Sequence, residues 1–232
     1  MADSLTVLIS EHVEFRKHVI GQCGKPVMGR IPLLMRSESE EVSSLDTLAH
    51  KLKKLEASPN KAVIRGVPLN DAPAPAARNK ANFKRAPRHW CMIDIDDLDC
   101  PADRADLSSK IAYAIEQLPK EFQQANFYYH FSSSMGIKPG IRVHLWYWLD
   151  RPCSDVEMKA WLADAPVDLR LFNPVQLHLT ANPLFKNGAV DPVPERSGLY
   201  TVEGWTDSVS PPVDLPERVL SQRRLHRTRN RG

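Results

Sequence analysis

Leu45, Leu48, Leu52 and Leu55 recur at three- and four-residue spacings, which puts them on one stripe of an amphipathic helix. Ser43 or Ser44 stands where that helix needs an N-cap. Ala62-Val63-Ile64 then reads as a short strand that stops at Gly66. From Trp90 to Ile95 the chain is almost wholly apolar and closes on acids, the pattern of a buried strand. Leu107, Ile111, Ile115 and Leu118 predict a second helix, across about 104–119. Phe127 to Phe131 predicts another strand, and a Ser/Gly/Pro loop from Ser132 to Gly140 leads into a third, Ile141 to Leu149. Ser154 and Glu157 have capping-box spacing and open a helix that runs to about Leu162. Beyond it Val175, Leu177 and Leu179 alternate with Gln176, His178 and Thr180, predicting a fourth strand.

Strand–helix–strand–strand–helix–strand is the split βαβ order of a ferredoxin-like or RNA-recognition-motif-like sheet. The expected fold class is therefore α/β, in its α+β form: such a sheet with helices packed on it, plus a small N-terminal α/β unit. The chain divides into an accessory unit (1–66), a basic Pro/Ala-rich loop (67–89), a core (90–214) and a basic C-terminal tail (215–232). At 232 residues, with 42% hydrophobic and 25% charged residues, this is ordinary globular composition and excludes wholesale disorder.

Charge changes the picture only through its placement. The formal net charge is +3, yet Arg78, Lys80, Lys84, Arg85 and Arg88 crowd the stretch before the acidic strand. Arg218, Arg223, Arg224, Arg227, Arg229 and Arg231 crowd the end. Basic clusters beside an acidic pocket suit a phosphate backbone, and Arg78, Lys84 and Arg85 are the candidate DNA contacts. The four cysteines show no CxxC spacing and are expected as reduced thiols. No signal-peptide pattern opens the sequence and no stretch is long and apolar enough for a membrane span, so a cytoplasmic protein without a membrane partner is expected.

Asp94 and Asp96 carry the chemistry. One residue apart on a strand, they share a face while Ile93 and Ile95 face the core. Converging carboxylates repel each other, and a divalent cation relieves that; acid-lined, oxygen-rich sites suit Mg²⁺ or Mn²⁺. Arg142 and His144 share a face of the third strand by the same period, where they can hold phosphate oxygens. Ser133, Ser134 and Lys138 in the preceding loop add hydroxyls and an ammonium. Asp168, between Val167 and Leu169, is the candidate third carboxylate; Asp150 and Asp164 read more simply as turn and helix-end residues.

The set Met92-Ile93-Asp94-Ile95-Asp96, then Ser132-Ser133-Ser134-Met135-Gly136 through Arg142-Val143-His144, then Val167-Asp168 resembles the archaeo-eukaryotic primase superfamily. It is most similar to the primase-polymerase domains of phages, plasmids and integrated elements, over about residues 40–200. The resemblance implies two divalent ions held by Asp94, Asp96 and Asp168, and a triphosphate contacted by His144 with Arg142, Ser133, Ser134 and Lys138 in support. It implies NTP or dNTP as substrate, a single-stranded DNA template with its primer, and a helicase domain or subunit as partner. Arg142 departs from the family pattern, which carries a small residue or Ser there. Two alternatives stay open: a non-catalytic DNA-binding module of a replication initiator, using Trp146, Tyr147 and Trp148, and a haloacid-dehalogenase-type phosphatase, which shares the DxD strand. The phosphatase lacks its later acidic pair here, and a relaxase-like nuclease lacks its HxH.

Overall fold

The computed structural model describes residues 2–21, 24–69 and 75–215; Cys23 and the arginine-rich tail lie outside the described residues. The chain opens with β1 (Asp3–Ile9), β2 (Lys17–Ile20), β3 (Val27–Met28), β4 (Leu34–Val42), α1 (Leu45–Glu56) and β5 (Lys61–Ile64). The stretch expected to be loop contains three two-residue strands, β6 (Val67–Pro68), β7 (Ala76–Ala77) and β8 (Phe83–Lys84). Then come β9 (Arg88–Leu98), α2 (Leu107–Glu116), β10 (Phe127–Phe131), β11 (Ile141–Cys153), α3 (Asp155–Trp161), β12 (Leu184–Lys186) and β13 (Ser197–Tyr200). The fold is α+β, as the element order implies.

Side-chain caps set the helix starts. The Ser44 hydroxyl accepts from Thr47 N at 3.2 Å, and Ser154 and Glu157 close the reciprocal box on α3. α2 starts at Asp106, whose carboxylate accepts from Ser109 N.

The central sheet is antiparallel in the order β13-β10-β11-β9, and its first three strands have the split βαβ arrangement. The fourth does not. Val175–Thr180 is not a strand of this sheet: only a lone bridge forms there, between His178 and Val63 of β5. Beside β9 the chain makes one ladder-like bond, Asp168 N to Asp94 O at 3.0 Å, and then turns into the 3₁₀ segment Leu169–Phe172, capped by Asp168 itself. The sheet gains its fourth strand at the opposite edge, where β13 pairs with β10. A second sheet, β5-β1-β4-β7, holds the N-terminal region, and β2 pairs parallel to β12 in a small third sheet.

Both faces of the central sheet are covered, which explains why its strands read as nearly unbroken apolar runs. On one face Ile93, Ile95, Val143, Leu145 and Tyr147 pack with Ile111 and Ile115 of α2 and Met158 and Trp161 of α3. On the other, Trp90, Met92, Tyr128, Trp146 and Trp148 pack under the leucine stripe of α1 and under Leu5 and Val7 of β1. Among the described residues no helix is long and apolar enough to cross a membrane.

Candidate active site

Register places the functional side chains in rows across the second face. Met92, Trp146 and Tyr128 are cross-strand partners, and one step further along the same face come Asp94, His144 and His130. The first row packs beneath α1, with Met92 also lining the edge of the cleft. The second opens into a cleft of about 200 Å³ whose lining includes Asp94, His130, Ser132, Ser133, His144 and Asp168. Its far wall comes from Phe15 and Lys17 near β2 and from residues of the 171–183 stretch, among them Gln176 and Leu177. The parallel pairing of β2 with β12 brings these two segments together.

Within the row, His144 Nε2 stands 3.5 Å from Asp94 Oδ1, and the His130 and His144 rings meet edge to face at 5.9 Å. Burial, reinforced by Asp96 and Asp168, pushes the Asp94 carboxyl up to about 7. Burial pushes His144 down to about 4, helped by Lys17, and His130 down to about 4, helped by His144. Each group is thus held where its charged form is disfavoured.

Asp96 does not repeat the placement of Asp94. The ladder slips between Val143, opposite Ile95, and Ile141, opposite Leu98, so Asp96 and Asp97 together face Arg142. This is a β-bulge, and Asp97 takes its left-handed backbone, φ 70°. Gly140 lies against it, where a Cβ would stand 3.1 Å from Asp97. The buried Arg142 guanidinium bonds to Asp96 Oδ1 and, at 2.6 Å, to Asp97 Oδ1. Two-residue alternation therefore ends at Ile95, and Arg142 binds acids and does not line the cleft. Asp168 reaches the cleft, and its bidentate partner Arg170 holds its carboxyl below the usual range.

The serine loop divides. Ser133 lines the cleft with its buried hydroxyl unpartnered. Ser134 is buried outside the lining, its carbonyl receiving Ile137 N and Lys138 N, and Lys138 is exposed on the loop surface. The proposed DNA contacts also lie outside the cleft. Arg78 bonds to the Val175 carbonyl, Lys84 is exposed on β8, and Arg85 pairs with Asp155 at 3.1 Å. Arg88 is buried, its guanidinium bonded to Asp3, Ser4, Thr6 and the Arg65 carbonyl, so it braces β9 against β1.

Asp94 and Asp168 are the oxygen donors in the cleft suited to a divalent cation, and burial first, then the charges of Asp96 and Asp168, drives the Asp94 carboxyl toward protonation. Asp96 joins such a set only by leaving Arg142. Among the described residues no three His, Cys, Asp or Glu side chains are close enough to hold a metal as they stand.

Two titratable lining residues, His130 and Lys17, escaped the sequence. His130 carried a signal, since it shares the alternation of Tyr128 on a strand beside the serine loop. Lys17 carried none, because only the distant β2–β12 pairing delivers it.

No family model and no solved structure matches the chain. It is 29% identical to the putative replication origin binding protein of Escherichia phage T5, over 79% of this chain and 21% of that protein. The chain thus spans about a fifth of the length of the curated relative it matches.

Proposed function

We propose that this chain is a template-directed nucleotidyltransferase of the primase-polymerase type that acts in DNA replication. The observation that carries the reading is the row Asp94–His144–His130, opening into a cleft to which the chain returns Asp168 by a backbone bond to Asp94. Asp94 and Asp168 would hold Mg²⁺ or Mn²⁺, with Asp96 completing the set once released from Arg142. Bound there, divalent ions lower the charge barrier to attack of a hydroxyl on a phosphoryl group. Lys17, Ser133 and His144 line the wall against which an NTP or dNTP triphosphate would lie, and a single-stranded template with its primer is the macromolecular partner. The T5 relative, named for origin binding, supports the replication setting.

A second reading, a non-catalytic origin-binding module, is favoured by one feature. Arg142 neutralises Asp96 and Asp97, and Arg170 neutralises Asp168, which leaves the acids partly occupied without metal. One assay separates the two. Nucleotide incorporation on a primed single-stranded template is followed with Mg²⁺ or Mn²⁺, using NTPs and dNTPs separately, in the wild type and in Asp94→Ala. We expect incorporation by the wild type and a loss of at least about a hundredfold in the variant, with DNA binding retained. Equal incorporation by both proteins sinks the enzyme reading. DNA binding without any incorporation by the wild type selects the binding module.

A further inference from the structure

A line of polar side chains runs from the end of α1 into the cleft. Glu56 is buried, and its carboxylate receives the Tyr128 hydroxyl, Lys53 Nζ at 3.1 Å and Asn182 Nδ2 at 3.3 Å. The Asn182 backbone N–H adds a bond to the Glu56 carbonyl at 3.1 Å. With its nitrogen turned to Glu56, the Asn182 amide presents Oδ1 to His130 Nε2 at 2.9 Å. An amide oxygen only accepts, so Nε2 carries the proton and donates. Burial keeps the His130 imidazole neutral near pH 7, and its other nitrogen, Nδ1, is then a bare acceptor.

The His130 ring lines the cleft, one strand from His144. A bare acceptor is badly matched to a triphosphate, whose oxygens have no proton to give. It matches a hydroxyl. On the reading of the cleft as a nucleotide site, on which this inference rests, phosphates lie beside Asp94 and His144. The part of a nucleotide adjoining its phosphates is the pentose, so a sugar hydroxyl is the donor that meets His130. We propose that His130 Nδ1 reads a pentose hydroxyl of the bound nucleotide, held for that task by Asn182 and Glu56. Asn182 lies outside the cleft lining and acts as a positioning residue.

Dissociation constants measured by calorimetry in Mg²⁺ test this, with a ribonucleoside triphosphate and its 2′-deoxy, 3′-deoxy and 2′,3′-dideoxy forms. In the wild type, loss of the hydroxyl that is read weakens binding roughly tenfold, the worth of one hydrogen bond, and the two monodeoxy arms tell which hydroxyl it is. In His130→Ala all four nucleotides bind within about twofold of one another, at the level of the weaker ligands. Asn182→Leu lowers the discrimination and leaves dideoxynucleotide affinity unchanged, which a merely structural role would not do; this variant decides the matter if His130→Ala fails to fold. Discrimination that survives in the folded variants, or is missing in a wild type that binds nucleotides, overturns the sugar-reading role and leaves the nucleotide site standing. A wild type that binds none of the four overturns both.

Discussion

Two neighbouring rows on one face of one sheet behave in opposite ways. Met92, Trp146 and Tyr128 are buried under the leucines of α1, where their apolar bodies build the core and the Tyr128 hydroxyl alone turns to a carboxylate, that of Glu56. Asp94, His144 and His130, one step along the same strands, are also largely buried, and there burial disfavours the charged form of each titratable group. Backbone, strands and register are shared, so the difference lies in the cover. α1 ends at Glu56, and beyond it the face is roofed by Lys17, Gln176, Leu177 and their neighbours across a gap. The apolar row stabilises the fold. The polar row draws on that stability to hold titratable groups against their solution preferences, a pattern concentrated at functional sites.

The sharpest way to break the contrast is to damage the apolar row. Trp146 is 1% exposed and touches the Trp90 and His178 rings at centroid distances of 5.7 Å. Trp146→Ala should destabilise the protein by about 4 kcal/mol, through lost burial and an unfilled cavity. Urea denaturation measures it. A loss below about 1 kcal/mol would mean that this row collapses freely and is not the foundation of the site.

Removing charge from the polar row should do the reverse. The Asp94 carboxyl sits at about 7 in the folded chain against 3.8 as its ordinary value. The folded state therefore binds more protons than the unfolded between those values, and stability is lost as pH rises from about 4 through 7. The histidines run oppositely: held at about 4, they add stability that is present above about 6.5 and lost as pH falls toward 4. Asp94→Asn removes only the first contribution. In EDTA, the variant and the wild type should lie within about 1 kcal/mol of each other near pH 4, and the variant should lead by about 4 kcal/mol at pH 8. Chemical denaturation at the two pH values reads the difference, and a variant that loses stability at pH 8 contradicts the charge-strain account. The same gain means that loss of incorporation in a position-94 variant need not come from unfolding.

What the sequence revealed follows from locality. α2, β10, β11 and α3 stand where period and caps place them, because a buried stripe and a capping serine act within a few residues. The polar–apolar alternation at Val175–Thr180 does not become alternating burial, and no strand forms there. His178 and Thr180 are buried there together with Leu177, and His178 bridges to β5, not to β9. β13 offers only four residues, one of them Gly198, too little pattern to mark an edge strand. In the site, Asp94 and His144 were legible because uninterrupted strands keep period two. Asp96 was not, because the bulge at Asp97 depends on Gly140, just before β11, and on Arg142 of β11, both more than forty residues away.

The mildest probe sharpens the contrast from outside the sheet. α1 roofs the apolar row and supplies Glu56 to the polar one, so loosening its start should affect both unequally. Ser44 caps the helix through its hydroxyl, and Thr47 returns a bond to the Ser44 N–H at 3.0 Å. Ser44→Ala orphans one N–H of the first turn and should cost about 1 kcal/mol. Glu56 lies at the far end, three turns on, and is held by Tyr128, Lys53 and Asn182 whatever happens at the cap. Hydrogen exchange should therefore quicken at the first turn of α1 while the amides of Glu56 and Asn182 keep their protection to within that 1 kcal/mol. Faster exchange at Asn182 than at Leu48 would reverse the order, and would mean that the polar row depends on the start of α1 and not on its own hydrogen bonds.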